Sequence, residues 1–401
     1  MSVRKKTVWL FAGGAMQEIM CKRIAERGMC TIITDRHSDC ACSRYADEFV
    51  EIDTFDVKRN VEKAKEISKK FDIVAAVTTG ADCHQTVARV AQSLGLHGID
   101  PNIADICRYK HLTRDILSKA GIRQPRFKLA ESRDDALVFL QELGADVVIK
   151  ATDNSGSRGF YAVRHADELT NEVFEIAREN GTTGQVLVEE MLEPANGTIS
   201  EQSVETVWYD GKMYWLNWVD RIFGKDCNGI KAFRIAEYEG IAKGVEVGHV
   251  NPAMQPNLTK DMVKKMIFRA GMAIGMGTQK GGHILKTDIM LTDDGPVIIE
   301  LTPRLSGGWD SSGTTPARGG DFVGGVLGMA LREDFNVDFW NRYFTCDYPE
   351  RVAAIVTSIA PGARDCIGRQ FTMGVGFDRD SAIEKAVNKL KKGDFNVSVE
   401  Q

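Results

Sequence analysis

The sequence predicts an α/β protein, in which an N-terminal parallel βα domain precedes an α+β domain with antiparallel sheets and a small C-terminal α/β portion. Three observations predict this fold class. Strand-like apolar runs alternate with helix-spaced apolar residues over roughly the first hundred residues. A strong hairpin pattern centres on Asp294 and Gly295. The chain has 401 residues, more than one hydrophobic core normally serves, so two or three domains are expected.

The composition is that of a globular protein without a polyanion-binding surface. Hydrophobic residues make up 43% and charged residues 27%, and 51 Lys and Arg against 56 Asp and Glu give a net charge of -5. The nine cysteines are scattered and form no C-x-x-C pair, which is typical of reduced cytoplasmic thiols. The start of the chain does not fit a signal peptide, and no apolar stretch approaches the roughly 20 residues that span a bilayer. We therefore expect a cytoplasmic protein with small-molecule partners, and neither a nucleic-acid nor a membrane partner.

The first hundred residues predict a parallel sheet. A strand over residues 7–11 ends at Gly13 and Gly14, and a helix follows as far as Gly28. Further strands are predicted over residues 31–34, 49–52 and 73–77. The complete G-x-G-x-x-G pattern is missing after Gly14, so the glycine turn favours close packing over a dinucleotide site.

The middle of the chain introduces a second type of organisation. One helix is predicted from Asp105 to Gly121, and it carries Lys110. A strand over residues 147–150 delivers Lys150 to a glycine-rich loop over residues 153–159, and another strand follows. This order is strand, loop and strand, unlike the strand-to-helix setting of a P-loop. The later strands are predicted over residues 184–190, 201–209, 212–221 and 352–359, and a closing helix over residues 381–390.

The hairpin after residue 282 is the most informative segment. With a loop over residues 293–295, Asp288 lies opposite Glu300 and Lys286 opposite Thr302. Alternation then divides the side chains between two faces. The expected core face holds Leu285, Ile289, Leu291, Val297, Ile299 and Leu301, and the other face holds Lys286, Asp288, Glu300, Thr302 and Arg304.

Two interpretations of the polar face are open at this point. Facing carboxylates repel each other unless a cation lies between them, and a hard divalent ion such as Mg²⁺ would supply that cation. In the other interpretation the face is solvated and neutralised by Lys286 and Arg304. The lysines and the glycine loop favour the metal, because lysines and backbone amides compensate phosphate charge.

Five short motifs follow one another along the chain. They are Lys110 with Arg114; Lys150 with Ser155, Gly156, Ser157, Arg158 and Gly159; Glu189, Glu190, Met191 and Leu192; the E-x-S-V-E strand from Glu201 to Glu205; and Glu300 to Arg304. With these motifs the chain resembles the ATP-grasp superfamily over nearly its whole length. The relatives of this type are biotin carboxylase, the large subunit of carbamoyl phosphate synthetase and L-amino-acid ligases.

The resemblance implies a pre-ATP-grasp βα domain over residues 1–105, an ATP-grasp domain over residues 106–320 with a lid at about 145–215, and a C-terminal subdomain over residues 321–401. It implies ATP and Mg²⁺ as cofactors, with Mn²⁺ as a substitute. Thr302 stands where the family usually has Asn, and Asp288 where it usually has Glu or Gln.

The resemblance also implies roles for individual residues. The metal ligands would be Asp288, Glu300 and Thr302, and the catalytic residues Lys150, Lys286 and Arg304. The nucleotide would be bound by Lys110, Lys150, Ser155, Gly156, Ser157, Gly159, Glu189, Glu190, Met191, Leu192 and Glu201. The other substrates would be bound by Arg221, Glu246, His249, Arg304, Ser306, Gly307 and Gly308.

The expected activity is that of an ATP-dependent ligase. A carboxylate would be activated as an acylphosphate, with release of ADP, and then coupled to an amine such as an amino acid. A biotin-carboxylase-like enzyme and a degenerate nucleotide-binding regulator are the alternatives. A homodimer is an assembly that the sequence leaves open.

Overall fold

The computed structural model describes residues 5–199, 201–224, 238, 241, 242, 244–366, 368–395 and 397. These residues form three sheets, of which the first is parallel and the other two are antiparallel. The predicted fold class is therefore confirmed. Among the helices in these ranges, none combines the length and apolar character needed to cross a lipid bilayer.

The first sheet has four parallel strands in the order β3-β2-β1-β4. Its elements are β1 (Lys6–Phe11), α1 (Glu18–Glu26), β2 (Cys30–Asp35), β3 (Glu48–Glu51), α2 (Val57–Ile67), β4 (Asp72–Val77) and α3 (His84–Leu94). The central strand β1 is buried from Thr7 to Phe11, as an apolar run flanked by strands on both sides should be. The alternation predicted for this region is confirmed.

The helix predicted from Asp105 to Gly121 is wrong in one respect, because the structure divides it into two. Helix α4 (Pro101–Arg108) ends before Tyr109, which is extended, and helix α5 (Lys110–Lys119) begins after it. The break leaves the backbone N–H of Lys110 free to donate to the carbonyl of Thr152 at 2.8 Å. The start of α5 is thereby fixed against the glycine-rich loop.

The second sheet has four antiparallel strands in the order β5-β8-β6-β7. Its elements are β5 (Phe127–Ala130), α6 (Arg133–Leu143), β6 (Val147–Ala151), β7 (Tyr161–Val163), α7 (Asn171–Glu179) and β8 (Val186–Glu190). Apolar residues of both helices and of all four strands share one core. The sheet carries the glycine-rich loop between β6 and β7.

The third sheet has seven strands in the order β13-β12-β9-β10-β11-β14-β15. Its strands and their helices are β9 (Glu201–Tyr209), β10 (Lys212–Phe223), β11 (Glu246–Asn251), α8 (Asn257–Ile274), β12 (Gly282–Thr292), β13 (Gly295–Thr302), β14 (Val352–Ser358), β15 (Gln370–Gly376) and α12 (Arg379–Lys391). Strands β14 and β15 come after residue 320 and still extend this sheet. The domain boundary at that residue stays a prediction.

Three helices between β13 and β14 were not predicted from the sequence. They are α9 (Thr315–Ala317), α10 (Phe322–Ala330) and α11 (Val337–Phe344). Phe322 and Leu327 of α10 share a core with Leu10 of β1 and Met20 of α1. Late residues of the chain therefore cover one face of the first sheet.

Gly271 of α8 allows a close contact with the fully buried Trp208, because an added Cβ would lie 2.1 Å from Cζ2 of the indole. We expect Gly271→Ala to lower the free energy of unfolding by about 1–3 kcal/mol despite its better helix propensity. Gly14→Ala is the control, since no atom lies within 4 Å of its added Cβ. Urea denaturation measures both, and equal stabilities of the two variants would contradict the packing argument.

Candidate active site

A cavity of about 410 Å³ opens where the three sheets meet. Its wall includes Gly80 and Asp82 from the end of β4, Lys110 of α5, and residues of both antiparallel sheets. The structure brings together all the predicted site residues in this wall except Gly159 and Thr302. Those that line it are Lys110, Lys150, Ser155, Gly156, Ser157, Glu189, Glu190, Met191, Leu192, Glu201, Arg221, Glu246, His249, Lys286, Asp288, Glu300, Arg304, Ser306, Gly307 and Gly308.

The hairpin of β12 and β13 has the predicted pairing, with Asp288 opposite Glu300 and Lys286 opposite Thr302. The predicted loop over residues 293–295 is one residue too long, because Thr292 pairs with Gly295. A bulge between Asp288 and Ile289 absorbs the difference and restores the predicted register. Gly295 has a φ of 110°, the conformation that glycine was expected to provide there.

The bulge changes which apolar side chains reach the core. Ile298 is fully buried in the core and pairs with Ile289, whereas Ile299 lines the cavity. The prediction that Ile299 belongs to the core face is therefore wrong. The other residues assigned to that face are buried as predicted, namely Leu285, Ile289, Leu291, Val297 and Leu301.

The two facing carboxylates are compensated by cations of the protein itself. Nζ of Lys110 lies 2.9 Å from Oε1 of Glu300, while Asp288 pairs with Lys286 and, at 2.9 Å, with Nη1 of Arg221. Burial alone would raise the pKa of Glu300, but the Lys110 ammonium lowers it to about 2. The repulsion between the facing carboxylates is therefore offset by side chains of the protein.

The solvated-face interpretation is also wrong, because Asp288 is buried and Arg304 neutralises a different acid. Arg304 pairs with Asp82, a residue that the sequence analysis did not select as part of the site. Burial would raise the pKa of Asp82, and the Arg304 guanidinium holds it below its usual range. Asp82 follows the carboxyl end of a parallel strand, where ligands commonly bind, and this was the signal that could have found it.

The carboxylates of the hairpin fit a hard divalent cation. Oδ1 of Asp288 is buried and has no hydrogen-bond partner among the described residues, so one oxygen is available to a ligand. The part of the chain that the structure describes contains no group of three His, Cys, Asp or Glu that could hold a metal alone. Asp288 and Glu300 are thus suited to Mg²⁺ that takes its other ligands from phosphate and water. Thr302 is buried opposite Lys286 and does not line the cavity.

A buried ion-pair cluster joins α5 to the second sheet. Oε1 of Glu189 accepts a bond of 2.6 Å from Nε of Arg114, and Oε2 lies 2.6 Å from Nζ of Lys150. Arg114 also donates to the carbonyls of Ile298 and Ile299 of β13. Burial lowers the pKa of Lys150, and it would raise that of Glu189, which the two cations instead lower to about 2.

The glycine-rich loop covers the cavity through contacts to three separate regions. Oγ of Ser155 donates to Oδ2 of Asp82 at 2.5 Å, and Oγ of Ser157 donates to the carbonyl of Gly244 at 2.5 Å. The carbonyl of Gly156 accepts a bond from the N–H of Cys366. Arg158 donates back to the carbonyl of Ser155.

Arg221 organises the opposite side of the cavity. Its guanidinium contacts Glu201 at 2.8 Å and Glu246 at 2.9 Å, in addition to Asp288. Burial raises the pKa of Glu201 to about 7 against the opposing effect of Arg221. Glu246 is buried too, but Arg221 holds its pKa well below the usual range. Nδ1 of His249 lies 3.7 Å from Oε1 of Glu246.

A cleft between two antiparallel sheets, with paired lysines, a glycine-rich loop and facing carboxylates, defines the ATP-grasp class of folds. Residues 108–307 match the family model described as "Phosphoribosylglycinamide synthetase, ATP-grasp (A) domain". The chain belongs to the ATP-grasp superfamily.

Two curated relatives and one solved structure illustrate the similarity. An uncharacterized protein, y4rH, of Sinorhizobium fredii is 25% identical over 293 residues, which are 72% of this chain and 55% of that protein. Alanine–anticapsin ligase of Bacillus amyloliquefaciens is 24% identical over 258 residues, 62% of this chain and 53% of the ligase. The chain thus spans about half the length of these relatives. L-amino acid ligase of Bacillus licheniformis has a similar fold, with a TM-score of 0.67 and 18% identity over 89% of this chain and 80% of the ligase.

The neighbours Glu189 and Glu190 allow a matched test of the buried ion pairs. We expect Glu189→Gln to lower the free energy of unfolding at neutral pH by about 3–5 kcal/mol, because Arg114 and Lys150 stay buried without a counter-charge. Glu190→Gln should cost less than about 1 kcal/mol, since its partner Arg126 is 59% exposed. Denaturant titration of both variants measures the difference, and equal losses would contradict it.

The pH dependence of stability tests the ion pairs of Glu189 in a second way. Because the pKa of Glu189 is lowered from 4.5 to about 2, its stabilisation is present above pH 4.5 and is lost as the pH falls towards 2. The wild type should therefore lose more stability over this range than Glu189→Gln.

Proposed function

We propose that this protein uses ATP and Mg²⁺ to activate a carboxylate as an acylphosphate and couples the acyl group to an amine. One observation carries the proposal: Lys110, Lys150, Asp288 and Glu300, from four separate elements, line one cavity. These residues supply the charges that phosphoryl transfer requires. The name of alanine–anticapsin ligase supports an amine as the second substrate.

The nucleotide would lie between the second and third sheets. Residues 190–192 at the end of β8 would meet the base, and Glu201 would contact the nucleotide from β9. Lys110, Lys150 and the backbone amides of residues 155–157 would bind the phosphates. Gly159 and Thr302 stay proposed members of the site although they lie outside the cavity wall.

Asp288 and Glu300 would hold Mg²⁺, or Mn²⁺ in its place, and the metal would supply charge neutralisation at the phosphates. In the first step an oxygen of the acid attacks the γ-phosphorus, and the bond from that phosphorus to the ADP oxygen breaks. Lys150, Lys286 and Arg304 would stabilise the charge on the transferred group. In the second step the amine nitrogen attacks the acyl carbon, the bond to phosphate oxygen breaks, and the nitrogen gives up a proton.

The remaining substrate groups would lie near Arg221, Glu246, His249 and residues 306–308. The partners would be a small-molecule carboxylate and an amine, in the cytoplasm, and a homodimer is compatible with the proposal. A biotin-carboxylase-like reaction predicts ADP release that depends on bicarbonate, whereas a regulatory protein predicts ATP binding without turnover. ADP release measured with individual acids, amines and bicarbonate separates these functions.

The loop over residues 153–159 should become protected when nucleotide binds. Its contacts to Asp82, Gly244 and Cys366 hold it over the cavity, and phosphate would add ligands for its amides and for Arg158. Hydrogen exchange of this loop with and without ATP and Mg²⁺ measures the effect. Unchanged exchange at saturating nucleotide would contradict a lid function.

Glu300→Gln should reduce the rate of ADP release by a factor on the order of a thousand, because a metal ligand is lost. The apo protein should lose about 1–2 kcal/mol of stability, since Lys110 loses its ion pair. Asp294→Asn removes the same charge from the tip of the same hairpin, where the side chain is 87% exposed, and should leave both quantities unchanged. Normal turnover by Glu300→Gln would refute the metal assignment.

A further inference from the structure

Asp310 occupies a part of the cavity wall that the proposed reaction does not yet use. It follows Trp309, whose φ of 68° is costly for a bulky residue, and it begins a π-helical turn, Asp310–Thr314. Strained backbone and π-helical turns both concentrate at functional sites. The conformation places a carboxylate that is only 2% exposed in the wall of the cavity.

The contacts of Asp310 provide hydrogen bonds to one carboxylate oxygen and none, among the described residues, to the other. Oδ1 accepts bonds from Nδ2 of Asn251 at 3.0 Å and from Oγ1 of Thr314 at 2.7 Å. Arg318, which can only donate, binds Oδ1 of Asn251 at 2.8 Å and thereby fixes the orientation of that amide. Oδ2 of Asp310 has no hydrogen-bond partner among the described residues.

A second unpartnered atom lies on the same wall. Nε2 of His249 is buried without a partner in the described parts of the chain. His249 and Asn251 are two residues apart in β11, so their side chains lie on the same face of the strand. Glu246 lies on the Nδ1 side of the ring, and in the tautomer that carries its proton on Nδ1 the Nε2 atom is an acceptor. Two acceptors in a buried wall call for a ligand that donates more than one hydrogen bond.

We infer that Oδ2 of Asp310, with Nε2 of His249, binds the protonated primary amine of a substrate. The inference rests on the proposed function and assigns to it the subsite for the amino group. A primary ammonium donates three hydrogen bonds and supplies the positive charge that the buried carboxylate lacks. The ammonium can be an amino group of the activated acid, or it can be the attacking amine before the coupling step. In the second case it must first give one proton to Oδ2 of Asp310 or Nε2 of His249, because a protonated amine has no lone pair with which to attack.

The test compares the wild type with Asp310→Asn, which keeps an oxygen for Asn251 and Thr314 and removes the charge. The probes are individual L-amino acids, each paired with the 2-hydroxy acid of the same side chain. Binding is measured by calorimetry with ADP and Mg²⁺ present. We expect the wild type to prefer an amino acid over its hydroxy acid, and Asp310→Asn to reduce that preference about 10- to 100-fold.

Two further arms distinguish the sources of the ammonium. Amino-acid amides carry the ammonium without a free carboxylate, so a loss of their binding in Asp310→Asn identifies the attacking amine. If Asp310→Asn instead binds the amides normally and loses only the ADP release measured with an amino acid, the ammonium belongs to the activated acid. Asp105→Asn, which removes a carboxylate paired with Arg89 outside the cavity, is the control and should change neither.

The outcomes separate this inference from the proposed function. If the wild type and Asp310→Asn prefer the amino acid over its hydroxy acid to the same degree, the ammonium subsite is overturned, even if ADP release continues. If the wild type prefers the amino acid over its hydroxy acid but releases no ADP with any acid, the proposed ligase activity is overturned and the ammonium subsite stands. The comparison of amino acid with hydroxy acid in the wild type needs no variant, and absence of that preference also overturns the inference.

Discussion

The cavity depends on buried and half-buried carboxylates that stay ionised because cations from other elements reach them. Lys110 of α5 compensates Glu300 of β13, Arg114 and Lys150 compensate Glu189 of β8, and Arg304 compensates Asp82 after β4. Each pair joins two elements that are distant in sequence. The relative positions of the three sheets at the cavity are therefore set by charge compensation as well as by apolar packing.

The same ion pairs bear on how the proposed nucleotide would enter. Phosphate oxygens and Glu300 would compete for Lys110, and a phosphate that wins this competition would release a carboxylate for the metal. Ligand binding then exchanges one set of charge contacts for another, so little net burial of unpaired charge is required. Such an exchange lowers the electrostatic cost of filling the cavity.

The sequence predicts those features of the site that depend on local pattern. The two-residue period and the Asp-Gly turn were enough to place Asp288 opposite Glu300, and the β-branched run before Lys150 was enough to place a lysine at the end of a strand. The bulge that moves Ile299 into the cavity adds one residue to β13 between the partners of Asp288 and Ile289, and no local pattern reveals it. The break at Tyr109 accompanies a hydrogen bond from the N–H of Lys110 to the distant carbonyl of Thr152, and the pair of Asp82 with Arg304 spans 222 residues. Helices α10 and α11 were missed because their role is to cover a sheet formed much earlier in the chain.

That coverage has a consequence for the order of events during synthesis. The core around Leu10 and Met20 includes Phe322, Leu327 and Phe344, so one apolar face of the first sheet is not fully covered until residues more than 200 positions after the end of β4 have been made. The first sheet and its helices would leave the ribosome with an exposed apolar surface, and a nascent chain in that state is a natural client for a chaperone. A separately expressed fragment that contains only this sheet and its helices would keep that apolar surface exposed.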